Sequence, residues 1–297
     1  KIRPDQLTGI AHFGMNEGLP AAKIDDIIQD ANGIIWFINE GKLFRYDGDV
    51  VRKYALQGNP TLIRVMRDKQ GLIWLGTDNQ NGLFVLDTKA RIQWHVKLPA
   101  SVFVIDQDSK GLYWVGTLGK GAYIIDWKQK TSKQLLLANE QKTYNTVNTI
   151  LDFYEDKTGQ VWLASGIGIK IINPERSKIQ TLSTKEGLHT NDIWEISPDS
   201  SGRLWLGSRD HPGISILYPG EARIQYAGPA NGFSKFIINI LEGPDHQIYM
   251  PSDSLVYVLN PALTKLKTIE TVSNYKSSIW FAHSLVDKSG QIWIGSI

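Results

Sequence analysis

Seven aspartates in this chain stand in nearly the same short sentence, and a recurring carboxylate is the first group to test for chemistry. The sentence reads "DANGIIWFIN" from Asp30, "DKQGLIWLGT" from Asp68, "DSKGLYWVGT" from Asp108, "DKTGQVWLAS" from Asp156, "DSSGRLWLGS" from Asp199 and "DKSGQIWIGS" from Asp287. A weaker form, "DHQIYMPS" from Asp245, lacks the glycine and has Tyr249 for the tryptophan. Carboxylates at regular intervals could serve as acids and bases or gather calcium. A calcium loop needs several further oxygen ligands and a bidentate Glu at its end, and none is placed so. The plainer use is a turn: Asp bonds nearby backbone N–H groups, and the glycine three residues on accepts a positive φ.

The histidines are His12, His95, His189, His211, His246 and His283, and no pair has the short spacing of a metal site. With no cysteine there is no thiolate nucleophile, disulfide or Cys-based metal site, and no cofactor is expected. His95 and His246 fall on an outer strand or on the Asp-Gly turn, where solvated surface is expected. His189 and His211 fall on loops expected at one face, with "TDNQNG" from Thr77, "NEQKTYNT" from Asn139 and "TVSNYKSS" from Thr271. The candidate ligand residues there are Asp78, Asn79, Asn81, Tyr144, Asn145, His189, Asp192, Arg209, Asp210, His211, Asn274 and Tyr275. Planar amides, carboxylates and aromatic rings suit a sugar, because they match fixed hydroxyl directions and stack on its apolar face. The competing reading is that polar loops are simply wet, although loops on rigid scaffolds carry function disproportionately.

A second candidate set lies four residues before the turn aspartates: Asp26, Arg64, Val104, Asp152, Glu195 and His283, with Trp194 and Trp280 close by. These positions are expected on innermost strands, where mixed charges beside two tryptophans could bind a ligand or neutralise one another. Glu195 and His283 are the pair that could act as acid and base.

The elements that must position these groups follow from the repeat. The marker aromatics are Trp36, Trp74, Trp114, Trp162, Trp205, Tyr249 and Trp293, which are 38, 40, 48, 43, 44 and 44 residues apart. Such periods fit blades of four short strands, and the segments alternate and are cut by Gly, Pro, Asn and Asp rather than running helical. In the first unit "AKIDDIIQ", "IIWFI", "LFRYD" and "VVRKYAL" read as four successive strands. The expectation is an all-β, seven-bladed β-propeller of four-stranded antiparallel blades over residues 1–297. Residues 278–297 supply only two strands of the last blade. "KIRP" resembles "KIINP" from Lys170, and "IAHFGMNEGLP" resembles "IQTLSTKEGLH" from Ile179, so residues 1–14 are expected to close that blade.

Composition excludes several classes. Lys and Arg number 32 against 30 Asp and Glu, spread without a block, which is no footprint for nucleic acid. No stretch approaches the length of an apolar membrane span, and the first residues lack the core of a secretory signal. Beginning without Met and stopping after "WIGSI", the chain reads as a domain excised from a longer protein.

The pattern of Asp, two variable residues, Gly, an apolar residue, Trp, an apolar residue and then Gly-Thr or Gly-Ser resembles the two-component regulator propeller repeat. "EGLP" and "EGLH" fit it as well, while Phe37-Ile38 departs from the usual Gly-Thr. The resemblance implies an extracytoplasmic input domain of a bacterial membrane-bound sensor, periplasmic, answering to polysaccharide fragments. The full-length protein would then be a hybrid histidine kinase or a diguanylate cyclase. Its expected partners are an oligosaccharide ligand and a second copy through flanking domains, with no nucleic acid and a membrane only through segments outside this chain. "GIIWF" is also similar, once, to the Gly-x-x-Trp-Phe runs of propeller lyases that open cyclic peptide antibiotics. A lyase or other carbohydrate- or peptide-active enzyme, or a noncatalytic protein-interaction platform, are therefore the alternatives.

Overall fold

The computed structural model describes residues 18–19, 23–87, 89–137, 148–218, 220–221, 223–252, 255–260, 262–264, 266–270 and 283–295. The recurring aspartate is the knot of each inner hairpin. At Asp68, Oδ1 accepts the backbone N–H groups of Gln70 and Leu72 at 2.9 and 2.8 Å, and Oδ2 accepts Trp74 Nε1–H at 2.9 Å. Gly71 completes the turn with φ 88°. The same aspartate–indole bond recurs at Trp36, Trp114, Trp162, Trp205 and Trp293 at 2.7 to 3.0 Å. The acidic repeat thus spends its carboxylates on backbone amides and indoles.

The sixth repeat keeps this device by other means. Gly243 and His246, not Asp245 and a glycine, take the two ends of the turn: Gly243 N–H bonds Gln247 O, and His246 N–H bonds Gly243 O. His246 adopts the left-handed φ of 60° that glycine takes elsewhere. The carboxylate comes instead from Asp245, whose Oδ2 accepts the Tyr249 hydroxyl at 3.0 Å. A Cβ on Gly243 would sit 2.6 Å from the Tyr249 ring. The marker read from sequence as a turn aspartate is therefore displaced by two positions.

The chain is an all-β propeller of four-stranded antiparallel blades. Six complete sheets follow one another, over residues 24–54, 62–96, 102–135, 150–182, 193–227 and 241–270, and a two-stranded hairpin spans 284–294. This corrects the expected seven four-stranded blades: among the described residues six are complete. Residues 1–14, which the sequence assigned to the last blade, lie outside the described residues.

The described residues form two compact units, one of those up to 77, of 84–94 and from 237 onward, the other of those within 78–83 and 95–236. In the first, Trp36, Ile38 and Leu43 of the first sheet pack against Leu62, Val65, Ile73 and Leu75 of the second. The hairpin is seated on both sides: Leu285 and Trp293 join Ile24, Phe37 and Phe44 of the first sheet, while Val286, Ile292 and Ile294 join Tyr249, Val256 and Val258 of the sixth. Lys288 N–H bonds Gln29 Oε1 at 2.8 Å, and its ammonium reaches Ala31 O. In the second unit Trp114 packs with Ile150 and Phe153 of the next sheet, and Trp162 with Leu188, Ile193 and Leu206 of the one after. Trp36, Trp114 and Trp162 are thus wedges between consecutive sheets.

Two further features bear on the inner strands. The pairing of the first two strands slips by one residue at the same place in five sheets, at Asp25, Ile63, Phe103, Leu151 and Trp194. Such a bulge re-aims the extra side chain. Next to it, Asp26 Oδ2 accepts Val65 N–H at 2.8 Å and Asp152 Oδ2 accepts Ile196 N–H at 2.7 Å. These inner carboxylates join neighbouring sheets through backbone. Among the described residues no helix is long and apolar enough to cross a membrane.

Candidate functional site

The candidate residues that come together do so at one end of the fifth sheet. Ser183 caps a short 3-10 turn, Thr184–Glu186, with Glu186 accepting the Ser183 N–H, and Gly187 at φ 106° ends it. Leu188 is buried in the core between the fourth and fifth sheets, so the loop is anchored there and its neighbour His189 is left exposed. Thr190, also buried, donates from Oγ1 to Asp210 Oδ2 at 2.5 Å and accepts Asp192 N–H at 3.1 Å. One hydroxyl therefore ties the loop before the inner strand to the loop after the second strand.

That second loop, 208–213, is drawn against the outer strand. Gly213 has φ 107°, and a Cβ there would lie 2.1 Å from Ala227 O, so no other residue lets the backbones approach so closely. Its closeness puts Pro212 O within 2.5 Å of the Tyr226 hydroxyl. The His189 ring then lies on the Tyr226 ring, centroids 3.5 Å apart and planes 6° apart, and meets the His211 ring edge-on at 4.9 Å and 88°. His211 Nδ1 is 3.1 Å from Asp210 Oδ1.

Trp194 is the bulge residue of this sheet, which is why it leaves the wedge position. Its indole N–H donates to Asp192 Oδ1 at 2.9 Å, and the Arg209 guanidinium carbon lies 4.4 Å from the ring centroid. The cluster thus offers aromatic faces, a guanidinium and two carboxylates of unlike character. Burial, with the nearby charge of Asp210, raises the Asp192 carboxyl above its ordinary value. Burial also pushes on Asp210, but the bonds from Thr190 and His211 outweigh it and hold that carboxyl low. Lost water lowers His189, and the neighbouring His211 lowers it further against the pull of Asp210.

So His189, Asp192, Trp194, Arg209, Asp210 and His211, all candidates from sequence, are brought into one place. Asp78, Asn79 and Asn81 are not part of it. Asp78 Oδ1 takes the Ser101 hydroxyl and the Asn79 N–H, and Asn81 O is 2.7 Å from His95 Nε2, so this loop is occupied in holding its own shape. Tyr144, Asn145, Asn274, Tyr275 and Trp280 lie outside the described residues. His283 stands elsewhere, in the first unit, with Nδ1 3.6 Å from Asp26 Oδ1. Glu195 belongs to the second unit. Sequence reasoning missed Thr190 and Tyr226: the first looks like an ordinary loop threonine, and the second sits on an outer strand 37 residues after His189. Among the described residues no group of three or more His, Asp or Glu could hold a metal ion.

Residues 187–210, the stretch supplying five of the six assembled candidates, match the two component regulator propeller family. No curated protein matches the chain. The solved extracellular domain of a protein described as the hybrid two component system BT3049 of B. thetaiotaomicron aligns at TM-score 0.78 and 19% identity, over 96% of this chain and 40% of that one. The corresponding domain of BT4673 from the same organism aligns at 0.76 and 19%, over 94% and 38%. This chain spans about two fifths of those relatives' length. Virginiamycin B lyase from Staphylococcus aureus is similar at 0.70 and 12%, over 85% and 86%. At such identities the likenesses establish the propeller fold. The family match over 187–210 falls on one of these repeats, and the same short sentence stands in the other sheets.

Proposed function

We propose that this propeller is the extracytoplasmic, periplasmic input domain of a bacterial membrane-bound two-component regulator, and that it binds a polysaccharide-derived ligand at the loop end of the fifth sheet. The observation that carries the reading is a coincidence of place. The segment matching the regulator family also holds the aromatic, guanidinium and carboxylate groups that gather around Thr190. Rings at two orientations, one backed by Tyr226 and one carrying Arg209, suit stacking on a sugar, and Asp210, half exposed, suits its hydroxyls. The hairpin 284–294 is the inner half of a further blade. Signal passes to flanking segments, and through them to a second copy, when the ligand favours one of their arrangements. The enzyme reading draws nothing from Glu195 and His283, since His283 faces Asp26.

The test is isothermal titration of the purified chain against a panel of neutral, acidic and amino oligosaccharides, repeated with Trp194→Ala and His189→Ala. Binding that both variants weaken at least tenfold supports the site. Binding that neither alters, or no binding by any member of the panel, refutes it.

A further inference from the structure

Three Asn-Gly pairs stand in the chain, Asn32-Gly33, Asn81-Gly82 and Asn231-Gly232, and all three asparagines are exposed. The side-chain carbonyl carbon of an asparagine is open to attack by the backbone nitrogen that follows it, and glycine, with no Cβ in the way, is the follower that permits this most readily. What separates the three is the company each keeps. Asn32 is tied into the aspartate knot by its own N–H on Asp30 Oδ1 at 2.8 Å, and Asn231 Oδ1 accepts Gly228 N–H at 3.2 Å. Asn81 lies between the strands Ile73–Thr77 and Leu83–Leu86, outside both, and its carboxamide makes no hydrogen bond among the described residues. Its backbone carbonyl is met by a ring nitrogen: His95 Nε2, in the same compact unit, lies 2.7 Å from Asn81 O. A carbonyl only accepts, so Nε2 carries the hydrogen and donates it. That carbonyl shares its peptide group with Gly82 N, and drawing electron density toward the oxygen makes the Gly82 N–H more acidic.

We propose that Asn81 is a site of spontaneous covalent modification, converting to aspartate and isoaspartate, and that the His95 hydrogen bond sets its rate. Gly82 N gives its proton to solvent and forms a bond to Asn81 Cγ. The Cγ–Nδ2 bond breaks, and that nitrogen leaves as ammonia, taking its proton from water. Water then opens the succinimide ring at either carbonyl, leaving a carboxylate where the carboxamide stood. Both products add a negative charge to the loop, and the isoaspartyl form also routes the main chain through Cβ, lengthening it by a methylene. The next residue has no slack for that: a Cβ on Gly82 would already lie 2.0 Å from Val96 O. The modified loop therefore parts from His95. The ligand site around Thr190 plays no role in this chemistry.

The experiment holds the intact chain for weeks at mildly alkaline pH and body temperature in heavy-oxygen water, then follows its peptides by mass spectrometry, which counts the oxygen taken up at each asparagine. Asn81 is expected to convert faster than Asn32 or Asn231. His95→Ala should slow it at least about threefold, the low end of what one hydrogen bond is worth. His95→Gln, which keeps an N–H donor, should recover part of the rate, and circular dichroism checks that each variant is folded. Conversion led by Asn32 or Asn231, no conversion at Asn81, or a rate that His95→Ala leaves unchanged or raises would each overturn the proposal.

Discussion

Replacing Asp68 by alanine should test whether the recurring aspartate is a fastener rather than a chemical group. The change removes, among others, the bonds to Gln70 N–H, Leu72 N–H and Trp74 Nε1–H. Asp68 is 3% exposed and Trp74 not at all, so the orphaned indole N–H cannot turn to water. A buried donor left unmade costs about 1 to 3 kcal/mol, and each bond to a charged acceptor contributes about 1.5 to 3. Allowing that the two amides regain partial hydration, the expected loss is about 3 to 5 kcal/mol, a large share of the roughly 5 to 15 available to a folded domain. Trp74→Phe deletes the donor and keeps the turn bonds, so it should cost less at this hydrogen bond while adding a small packing loss. The double variant should then be less damaging than the sum, by about 1 to 2 kcal/mol, because both changes break one shared bond. Urea unfolding of the four proteins, followed by circular dichroism, measures the cycle. A loss under about 1 kcal/mol for Asp68→Ala, or strict additivity, would refute the reasoning.

Further outcomes follow from other residues. Gly82→Ala should cost about 2 to 4 kcal/mol, since φ is +77° and a Cβ would lie 2.0 Å from Val96 O; unchanged urea stability would contradict this. Tyr249→Phe, which removes the hydroxyl's bond to Asp245 and leaves that carboxylate its bonds from Gln247, should cost about 1 kcal/mol by the same measurement. Arg176→Ala should lower the melting temperature by a few degrees, since Arg176 joins Asp108, Glu155 and Gly159 O, and a lysine should restore only part of it. Burial, opposed by Asp26 and aided by Arg64, holds His283 down at about 4 against 6.5 in the unfolded chain. The unfolded state therefore binds more protons between those values. The stability that His283 confers as a neutral group is full above pH 6.5 and is lost as pH falls toward 4. With the side chain one-third exposed, roughly 1 to 2 kcal/mol is at stake. Stability measured at pH 7 and pH 4.5 should differ less in His283→Gln than in the parent.

What was legible in the sequence was whatever local chemistry dictates. Asp30, Asn32 and Gly33 announce a turn because their bonds lie within four residues, and strands of alternating pattern follow from it. The sixth repeat was misread by two positions because His246 can adopt the left-handed turn conformation and Asp245 can swing its carboxylate to Tyr249, and neither habit shows in the letters. At the site, His189, Asp192 and His211 were visible as polar residues on loops. Their partner Tyr226 was not, because a stack between residues 37 positions apart is fixed by strand register and by Gly213, not by any local pattern. Asp78 stands apart from this cluster, its oxygens bonded to Ser101 and Asn79.

The seating of the final hairpin also has a kinetic side. Phe37 and Phe44 precede by some 250 positions the residues that cover them, Leu285 and Trp293. A ribosome must therefore carry the first sheet with one oily flank bare while the intervening residues are made, and contacts so remote along the chain are slow to close. The nascent protein should engage chaperones until Trp293 emerges, and truncation before residue 284 should leave a sticky, protease-sensitive product rather than a smaller stable ring.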